Sequence, residues 1–302
     1  MKSIGGTWYI SPTTFDERGE LDLASQESMT EAIINWGVDG ITLLGVMGEA
    51  SALSSEERAR VIKAVVKSAG GKVPLAVGCS ASAPYAAAEL CNQALDLGAD
   101  YAMVSAPQLI RDVDTLPSFY SRLRERTKLP LILQDEPAAT GVLVPSSVWA
   151  TCLNETDFPV LKLEDPPTAH KVTALLKLAP NTVIFGGLGG AAAYYEMVRG
   201  AVGTMTGFTF PEILREIRLA LEAGDRARAF SVFTKYLPLI IFEAQPVVGL
   251  GIRKELLKRR GVIKNTTSRM GPVRVSAPLL EELDEVLGAL QITPQAAPFV
   301  VA

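Results

Sequence analysis

The sequence predicts an α/β fold, a (β/α)8 or TIM barrel followed by a C-terminal helical extension. Eight short apolar runs rich in β-branched residues recur between residues 4 and 207, and helical patterns separate them. Alternation of this kind indicates a parallel sheet, and eight strand-helix units favour a closed barrel. After Pro211 the strand pattern stops and leucine-rich helical patterns follow. An open doubly wound sheet is the alternative fold.

The predicted strands are defined by their β-branched apolar runs, and the helices between them by their end signals. Ser54 with Glu57 three residues later is a capping-box signature, while Gly37, Gly70 and Gly98 lie where helices are expected to end. The predicted strands are residues 6–10, 40–44, 73–77, 101–105, 129–133, 160–163, 182–185 and 203–206.

The last third of the chain is predicted to be helical. We expect residues 1–210 to form the catalytic barrel and residues 211–302 an extension packed on it. The predicted helices of the extension are residues 211–223, 226–242, 246–260 and 278–290. Their apolar faces must be buried against the barrel or against a neighbouring subunit, so a homo-oligomer is expected.

Composition excludes several classes of function. The net charge of −4 without a basic run does not favour nucleic acid or an anionic membrane as a partner, which leaves small molecules. No membrane span or secretion signal is predicted, and three cysteines without metal-ligand spacing are expected to be reduced buried thiols in a cytoplasmic protein. Because His170 is the only histidine, histidine triads and multi-histidine metal sites are excluded.

A lysine in the sixth predicted strand is the first candidate for chemistry. Lys162 lies within an apolar run and, by strand alternation, shares one face with Val160 and Glu164. Burial disfavours the ammonium form of a lysine, and a neutral amine can attack a ketone to form a Schiff base. A buried ion pair of Lys162 with Glu164 that serves only the structure is the alternative.

Loops at the carboxyl ends of barrel strands are the expected location of a site. Gly45-Val-Met-Gly-Glu49 follows the second strand, and its glycines let backbone N–H groups approach a carboxylate, although an ordinary tight turn has the same pattern. Gly186-Gly-Leu-Gly-Gly190 follows the seventh strand and lacks the lysine and hydroxyl residue of a phosphate loop, so it favours close approach of a substrate.

Together these motifs resemble the dihydrodipicolinate synthase and N-acetylneuraminate lyase family of Schiff-base aldolases and dehydratases. The resemblance rests on Gly45-Val-Met-Gly-Glu49, Gly141-Val142, Lys162 and Gly200-Ala-Val-Gly203, in matching order over nearly the whole chain. It implies a barrel with a C-terminal helical extension, commonly a homotetramer, in which Lys162 forms an imine with a 2-keto acid. It also implies that neither a metal nor an organic cofactor is needed.

The chain departs from the family at five positions. Val46 and Met47 replace two hydroxyl residues that hold the substrate carboxylate, so binding is expected to rest mainly on backbone N–H groups. Gln134 replaces the tyrosine that shuttles protons, and an amide cannot transfer a proton near neutral pH. Ala139 replaces an arginine of the synthase branch, and another expected tyrosine is replaced around Gln108-Leu109. Synthesis of a lysine precursor is therefore not expected.

The missing tyrosine and the Lys-x-Glu strand resemble the branch that dehydrates 2-keto-3-deoxy sugar acids, such as 2-keto-3-deoxyarabonate. An iminium on Lys162 acidifies the proton on carbon three, which Glu164 can remove before helping hydroxide leave from carbon four. The alternatives are a retro-aldolase releasing pyruvate and an aldehyde, a non-catalytic keto-acid-binding protein, and an unrelated barrel in which Lys162 is structural. The residues expected to bind substrate are Gly45, Val46, Met47, Gly48, Gln134, Thr140 and Gly187.

Four further residues with polar or aromatic side chains lie near these motifs. Asp135 and Glu136 lie beside the expected site, where they could bind hydroxyl groups or form a solvated loop face. Tyr194 and Tyr195 are expected to be packing residues rather than catalysts.

Overall fold

The computed structural model describes residues 4–108, 110–270 and 275–302. Eight parallel strands follow one another around a closed barrel, and the last strand pairs with the first. The strands are β1 (Gly6–Ile10), β2 (Gly40–Leu43), β3 (Leu75–Gly78), β4 (Tyr101–Ser105), β5 (Leu131–Asp135), β6 (Val160–Leu163), β7 (Val183–Gly186) and β8 (Gly203–Thr206). The predicted barrel is confirmed, and closure excludes the open sheet.

Strands β3 and β5 begin two residues later than predicted because a proline stands before each of them. Pro74 and Pro130 lack a backbone N–H and cannot donate to the sheet, so β3 and β5 each begin one residue after the proline. The prolines still accept, since the Pro74 and Pro130 carbonyls receive the N–H groups of Ile41 and Ala102. The shift moves the carboxyl end of β5 to Asp135, which carries Gln134 into the strand.

Helices alternate with the strands and then continue alone. They are α1 (Leu23–Asn35), α2 (Ser55–Ala69), α3 (Pro84–Asp96), α4 (Leu116–Arg124), α5 (Pro137–Thr140), α6 (Ser146–Asn154), α7 (Thr168–Leu178), α8 (Ala193–Val198), α9 (Pro211–Glu222), α10 (Arg226–Glu243), α11 (Gly249–Arg259) and α12 (Ala277–Ala289). The helix predicted from residue 246 begins at Gly249 instead. The preceding turn is incompatible with a helix, because Val247 has a left-handed φ of 68°.

Strand alternation divides the core into two layers around the barrel wall. On β6, Val160 packs inside the barrel with Trp8 and Phe185, whereas Leu161 and Leu163 pack outside against the helices. The predicted orientation of β6 is therefore correct. The inner layer fills the barrel below the site, so that Lys162 stands above a closed floor of apolar side chains.

The C-terminal helices share a separate apolar core. Helix α9 packs on β1 and on α10, and α10 also contacts α11 and α12. Division of the chain at residues 210 and 211 stays a prediction. All three cysteines are buried free thiols, as expected. Within the described ranges, no helix is long and apolar enough to cross a membrane.

Candidate active site

Lys162 and Glu164 form a buried ion pair at the carboxyl end of β6. The lysine Nζ donates to Glu164 Oε2 at 2.5 Å, and the two side chains are 7% and 10% exposed. The other carboxylate oxygen accepts the backbone N–H of Leu188 at 3.2 Å. Both side chains line an open cavity of about 510 Å³, so a small ligand can reach the amine.

Gln134 connects this pair to a second carboxylate. It lies on β5 beside Lys162, and its Nε2 donates to Glu164 Oε2 at 2.9 Å and to Glu136 Oε2 at 2.8 Å. Both amide hydrogens are thus used, which fixes the two carboxylates on either side of one neutral group. Gln134 therefore orients the two carboxylates and, as an amide, cannot itself transfer protons near neutral pH.

Glu136 belongs to the cavity, which resolves one of the alternatives left by the sequence. Burial raises the pKa of Glu136 to about 7; the nearby Glu164 carboxylate adds to this effect and Lys162 opposes it. Asp135 points away from the cavity and pairs with Lys171 at 2.6 Å. Of the two neighbouring acids, only Glu136 lines the site.

The cavity continues sideways into a second pocket of about 450 Å³. The two share Gly45, Val46, Met103, Gln134 and Glu136, so they form one space with two arms. The second arm presents more hydroxyl and amide groups, which suit a ligand that carries hydroxyls. These polar groups come from Ser80, Ser105, Gln108 and Thr140.

The turn after β2 contributes to both arms. Val46 to Gly48 form a single 3-10 turn, in which the N–H groups of Gly48 and Glu49 bond to the carbonyls of Gly45 and Val46. Within the part of the chain that the structure describes, the N–H groups of Val46 and Met47 have no partner. Two backbone donors therefore remain for a carboxylate.

Glu49 fastens this turn to the C-terminal extension. Its buried carboxylate accepts Lys254 Nζ at 2.5 Å, the Ser268 hydroxyl at 2.7 Å, and the N–H groups of Arg269 and Met270. Burial opposes its ionisation, but the Lys254 ammonium and these hydrogen bonds outweigh burial and lower the pKa of Glu49. The carboxylate therefore holds the turn by a contact with the extension.

We expect Glu49→Gln to lower the free energy of unfolding by about 3–5 kcal/mol, because the substitution leaves the Lys254 ammonium buried without a counter-charge. Urea unfolding measures the loss. The matched control is Glu27→Gln, which removes the exposed ion pair with Lys67 and is expected to change stability by less than about 1 kcal/mol. Equal losses from the two substitutions would show that the buried pair has no special role.

Glycines after β7 make room for acidic side chains. A Cβ on Gly187 would stand 2.4 Å from Glu164 Oε1, and one on Gly186 would stand 1.8 Å from Glu196 Oε2. Glu196 is fully buried, and burial raises its pKa to about 7. The close contact of Gly187 is with Glu164, and its predicted role in substrate binding stays a prediction.

The remaining expected residues take different positions. Thr140 is the last residue of α5, where its hydroxyl donates to the Glu136 carbonyl at 2.9 Å, and it lines the second arm. Gln108 donates to the Ala139 carbonyl at 3.1 Å, while Leu109 lies outside the described residues. Tyr194 and Tyr195 pack in an aromatic cluster with Phe233, as expected.

Arg253 of α11 also lines the cavity, and sequence analysis missed it. Its Nη1 lies 3.1 Å from the Met47 sulfur and its Nε lies 3.8 Å from Glu243 Oε2. Burial lowers the pKa of Arg253, and the Glu243 carboxylate opposes this effect. An arginine in a predicted amphipathic helix gives no local signal that it faces a site far away in sequence.

No metal site accompanies these groups within residues 4–108, 110–270 and 275–302. There, no three His, Cys, Asp or Glu side chains are placed to hold an ion. The chemistry that these side chains offer is that of an amine flanked by carboxylates: imine formation on Lys162 and proton transfer by Glu164 or Glu136.

A closed (β/α)8 barrel is typical of lyases that act through a Schiff base when a lysine near the end of β6 is largely buried but can be reached by a ligand through a cavity. The chain belongs to the Dihydrodipicolinate synthetase family, whose profile matches residues 5–290. Members of this family are Schiff-base lyases that act on small keto acids and are typically oligomeric.

Individual relatives differ in reaction. The chain is 29% identical over 271 residues to an L-2-keto-3-deoxyarabonate dehydratase from Azospirillum brasilense, covering 87% of each protein. It is 27% identical over 285 residues to a 4-hydroxy-tetrahydrodipicolinate synthase from Oceanobacillus iheyensis, covering 92% of each. Its structure resembles that of a dihydrodipicolinate synthase from Rhodopseudomonas palustris, with a TM-score of 0.89, 32% identity, and coverage of 95% of this chain and 97% of that one.

Proposed function

We propose that the protein dehydrates a 2-keto-3-deoxy sugar acid, such as 2-keto-3-deoxyarabonate, through a Schiff base on Lys162. The observation that carries the proposal is the pairing of Lys162 with Glu164, beside an amide that cannot ionise. The similarity to the Azospirillum brasilense dehydratase supports the same reaction. We therefore favour a hydro-lyase over an aldehyde-lyase.

Lys162 first releases one proton and, as a neutral amine, attacks the C2 carbonyl; the carbinolamine hydroxyl then takes up that proton and leaves as water, which forms an iminium. The iminium draws electrons from C3, and Glu164 removes a C3 proton to give an enamine. Electrons of the enamine then expel the C4 hydroxyl, which takes the proton from Glu164 and leaves as water. Hydrolysis of the imine releases the dehydrated 2-keto acid and restores Lys162. No oxidant, reductant or further reactant is consumed.

Substrate recognition follows from the two arms of the cavity. The Gly45–Gly48 turn binds the carboxylate, with Val46 and Met47 contributing backbone N–H groups. Gln134, Thr140 and Gly187 shape the space around the reacting carbons. The hydroxyl-lined second arm accepts the tail of the sugar acid.

A retro-aldolase is the second candidate, and the position and pKa of Glu136 favour it. Aldol cleavage needs a base on the C4 hydroxyl, and Gln134 cannot serve. Glu136 lies next to Gln134, and its pKa of about 7 suits a general base. In this reaction Lys162 retains pyruvate as an enamine while an aldehyde leaves.

Product analysis separates the candidates. The enzyme is incubated with 2-keto-3-deoxyarabonate, treated with borohydride, and examined by intact mass, peptide mapping and analysis of the released compounds. We expect an adduct on Lys162 with the mass of the dehydrated acid, together with release of that acid. A pyruvate adduct and free aldehyde would establish cleavage instead, and binding without turnover would establish a non-catalytic keto-acid-binding protein.

We further propose a homotetramer located in the cytoplasm. Exposed apolar side chains on α8 and α10, namely Tyr195, Phe230 and Ile241, support an interface. The typically oligomeric state of the family supports the same assembly. Sedimentation of the purified protein measures its mass, and a monomer at micromolar concentration would contradict the proposal.

A further inference from the structure

Arg253 is a buried cation whose hydrogen bonds are poorly satisfied. Its side chain is 11% exposed, and within residues 4–108, 110–270 and 275–302 the one hydrogen-bond contact of its Nη1 is the thioether of Met47, a weak acceptor. Its Nε lies 3.8 Å from Glu243, which is an ion-pair distance rather than a hydrogen bond, and it has no hydrogen-bond partner in the part of the chain that the structure describes. A guanidinium has five N–H donors, so an arginine this buried normally contacts a carboxylate or several carbonyls.

Glu243 does not satisfy the remaining N–H donors of the Arg253 guanidinium, because its carboxylate is hydrogen-bonded to Thr209. Its two carboxylate oxygens accept the backbone N–H and the hydroxyl of Thr209. The ion pair therefore holds the Arg253 side chain near the cavity wall, and among the described residues the Met47 sulfur is the one hydrogen-bond contact of its outer nitrogens. A ligand carboxylate can still make the two parallel hydrogen bonds that guanidinium geometry favours.

The guanidinium lies beside the turn after β2, in the cavity that Lys162 and Thr206 also line. Met47, its neighbour, belongs to the turn after β2, where Val46 and Met47 offer no hydroxyl. On the other side Gly189 has a φ of 68°, and a Cβ there would lie 3.2 Å from Arg253 Nη2. The absence of a side chain at Gly189 thus keeps the path between guanidinium and cavity open.

We propose that Arg253 binds the C1 carboxylate of the 2-keto acid substrate, and so supplies from the C-terminal extension the donors that the turn after β2 lacks. This inference deepens the proposed function and rests on it. The flexible Met47 side chain moves aside when the carboxylate enters. A 2-keto acid then lies with its carboxylate between Arg253 and the Val46 and Met47 N–H groups, and with C2 facing Lys162.

The test compares a charged ligand with a neutral one of the same shape. Borohydride trapping is measured against concentration for pyruvate and for pyruvamide in the wild type, Arg253→Met and Arg253→Lys. Charge-assisted hydrogen bonds contribute about 1.5–3 kcal/mol, so we expect Arg253→Met to weaken the binding of pyruvate about ten- to a hundredfold. The affinity for pyruvamide is expected to change less than about twofold, and Arg253→Lys is expected to recover part of the lost affinity for pyruvate.

If Arg253→Met weakens the binding of pyruvate and of pyruvamide equally, the inference is overturned, because a structural defect affects a charged and a neutral ligand alike. Unchanged pyruvate affinity would overturn it as well. Oxaloacetate is included to locate the carboxylate. If Arg253→Met weakens the binding of oxaloacetate but not that of pyruvate, the arginine binds the C4 carboxylate and the assignment to the C1 carboxylate is wrong.

A second measurement keeps this inference separate from the Schiff base. Calorimetry compares pyruvate binding to Lys162→Ala and to Lys162→Ala/Arg253→Met, neither of which can form an imine at residue 162. We expect the second variant to bind at least about tenfold more weakly. If the wild type yields no trapped adduct, the proposed function fails, and this comparison still decides the role of Arg253. Absence of pyruvate binding in both assays overturns the inference too.

Discussion

Lys162→Ala is expected to abolish the borohydride-dependent adduct and to lower kcat/KM by about 10⁴-fold or more. The substitution removes the only amine that can form the iminium in the proposed mechanism, and loss of a nucleophile is among the largest effects known in enzymes. Intact mass after borohydride measures the adduct, and product release from 2-keto-3-deoxyarabonate measures turnover. The fold is expected to persist, because Glu164 keeps its bonds to Gln134 and Leu188.

The matched control for this variant is Lys177→Ala. Lys177 lies exposed in the last turn of α7, so its removal tests for unspecific modification of surface amines. We expect wild-type adduct yield and turnover from the control. An adduct that persists in Lys162→Ala would place the imine on another lysine and would leave the ion pair of β6 with a structural role.

Glu164→Gln is expected to leave the imine in place but to slow removal of the C3 proton about 10²- to 10⁴-fold. The amide retains the shape of the carboxylate and lacks its basicity. Exchange of the pyruvate methyl protons in deuterated water, followed by NMR, measures this step without requiring the full substrate. Trapping of pyruvate in parallel shows whether imine formation survives.

Glu136→Gln is the comparison that assigns the base. The two glutamates lie on either side of the Gln134 amide, so each substitution perturbs the same hydrogen-bonded group. Slow exchange in Glu136→Gln with normal exchange in Glu164→Gln would transfer the role of base to Glu136. Thermal unfolding of both variants is recorded because loss of Glu164 leaves the Lys162 ammonium without its ion pair.

The barrel and the position of Lys162 in it were predictable because both leave short-range patterns. Periodic β-branched runs predict strands, and a lysine inside one of them stands out against its apolar neighbours. Alternation along β6 then places Glu164 on the same face as Lys162, which the structure confirms at 2.5 Å. Local patterns failed mainly at element ends, where Pro74 and Pro130 delay β3 and β5.

Contacts between distant segments were not predictable. The bridge from Gln134 to Glu164 depends on the register of β5 against β6, which one sequence does not specify. The contact of Arg253 with Met47 joins residues 206 positions apart. In the sequence alone, an acidic residue in a loop or an arginine on a helix has no unusual feature. These side chains come together in one cavity only in the folded structure.

The anchoring of Glu49 limits how this scaffold can be re-engineered. Its carboxylate accepts hydrogen bonds from Lys254, Ser268 and the backbone N–H groups of Arg269 and Met270, so the turn after β2 is held in place partly by residues 254–270. Barrel and extension are therefore not interchangeable modules. A chimera that grafts the β2 turn of a relative onto this protein must also transplant Lys254 and residues 267–270, or it creates a buried charge without its counter-ion.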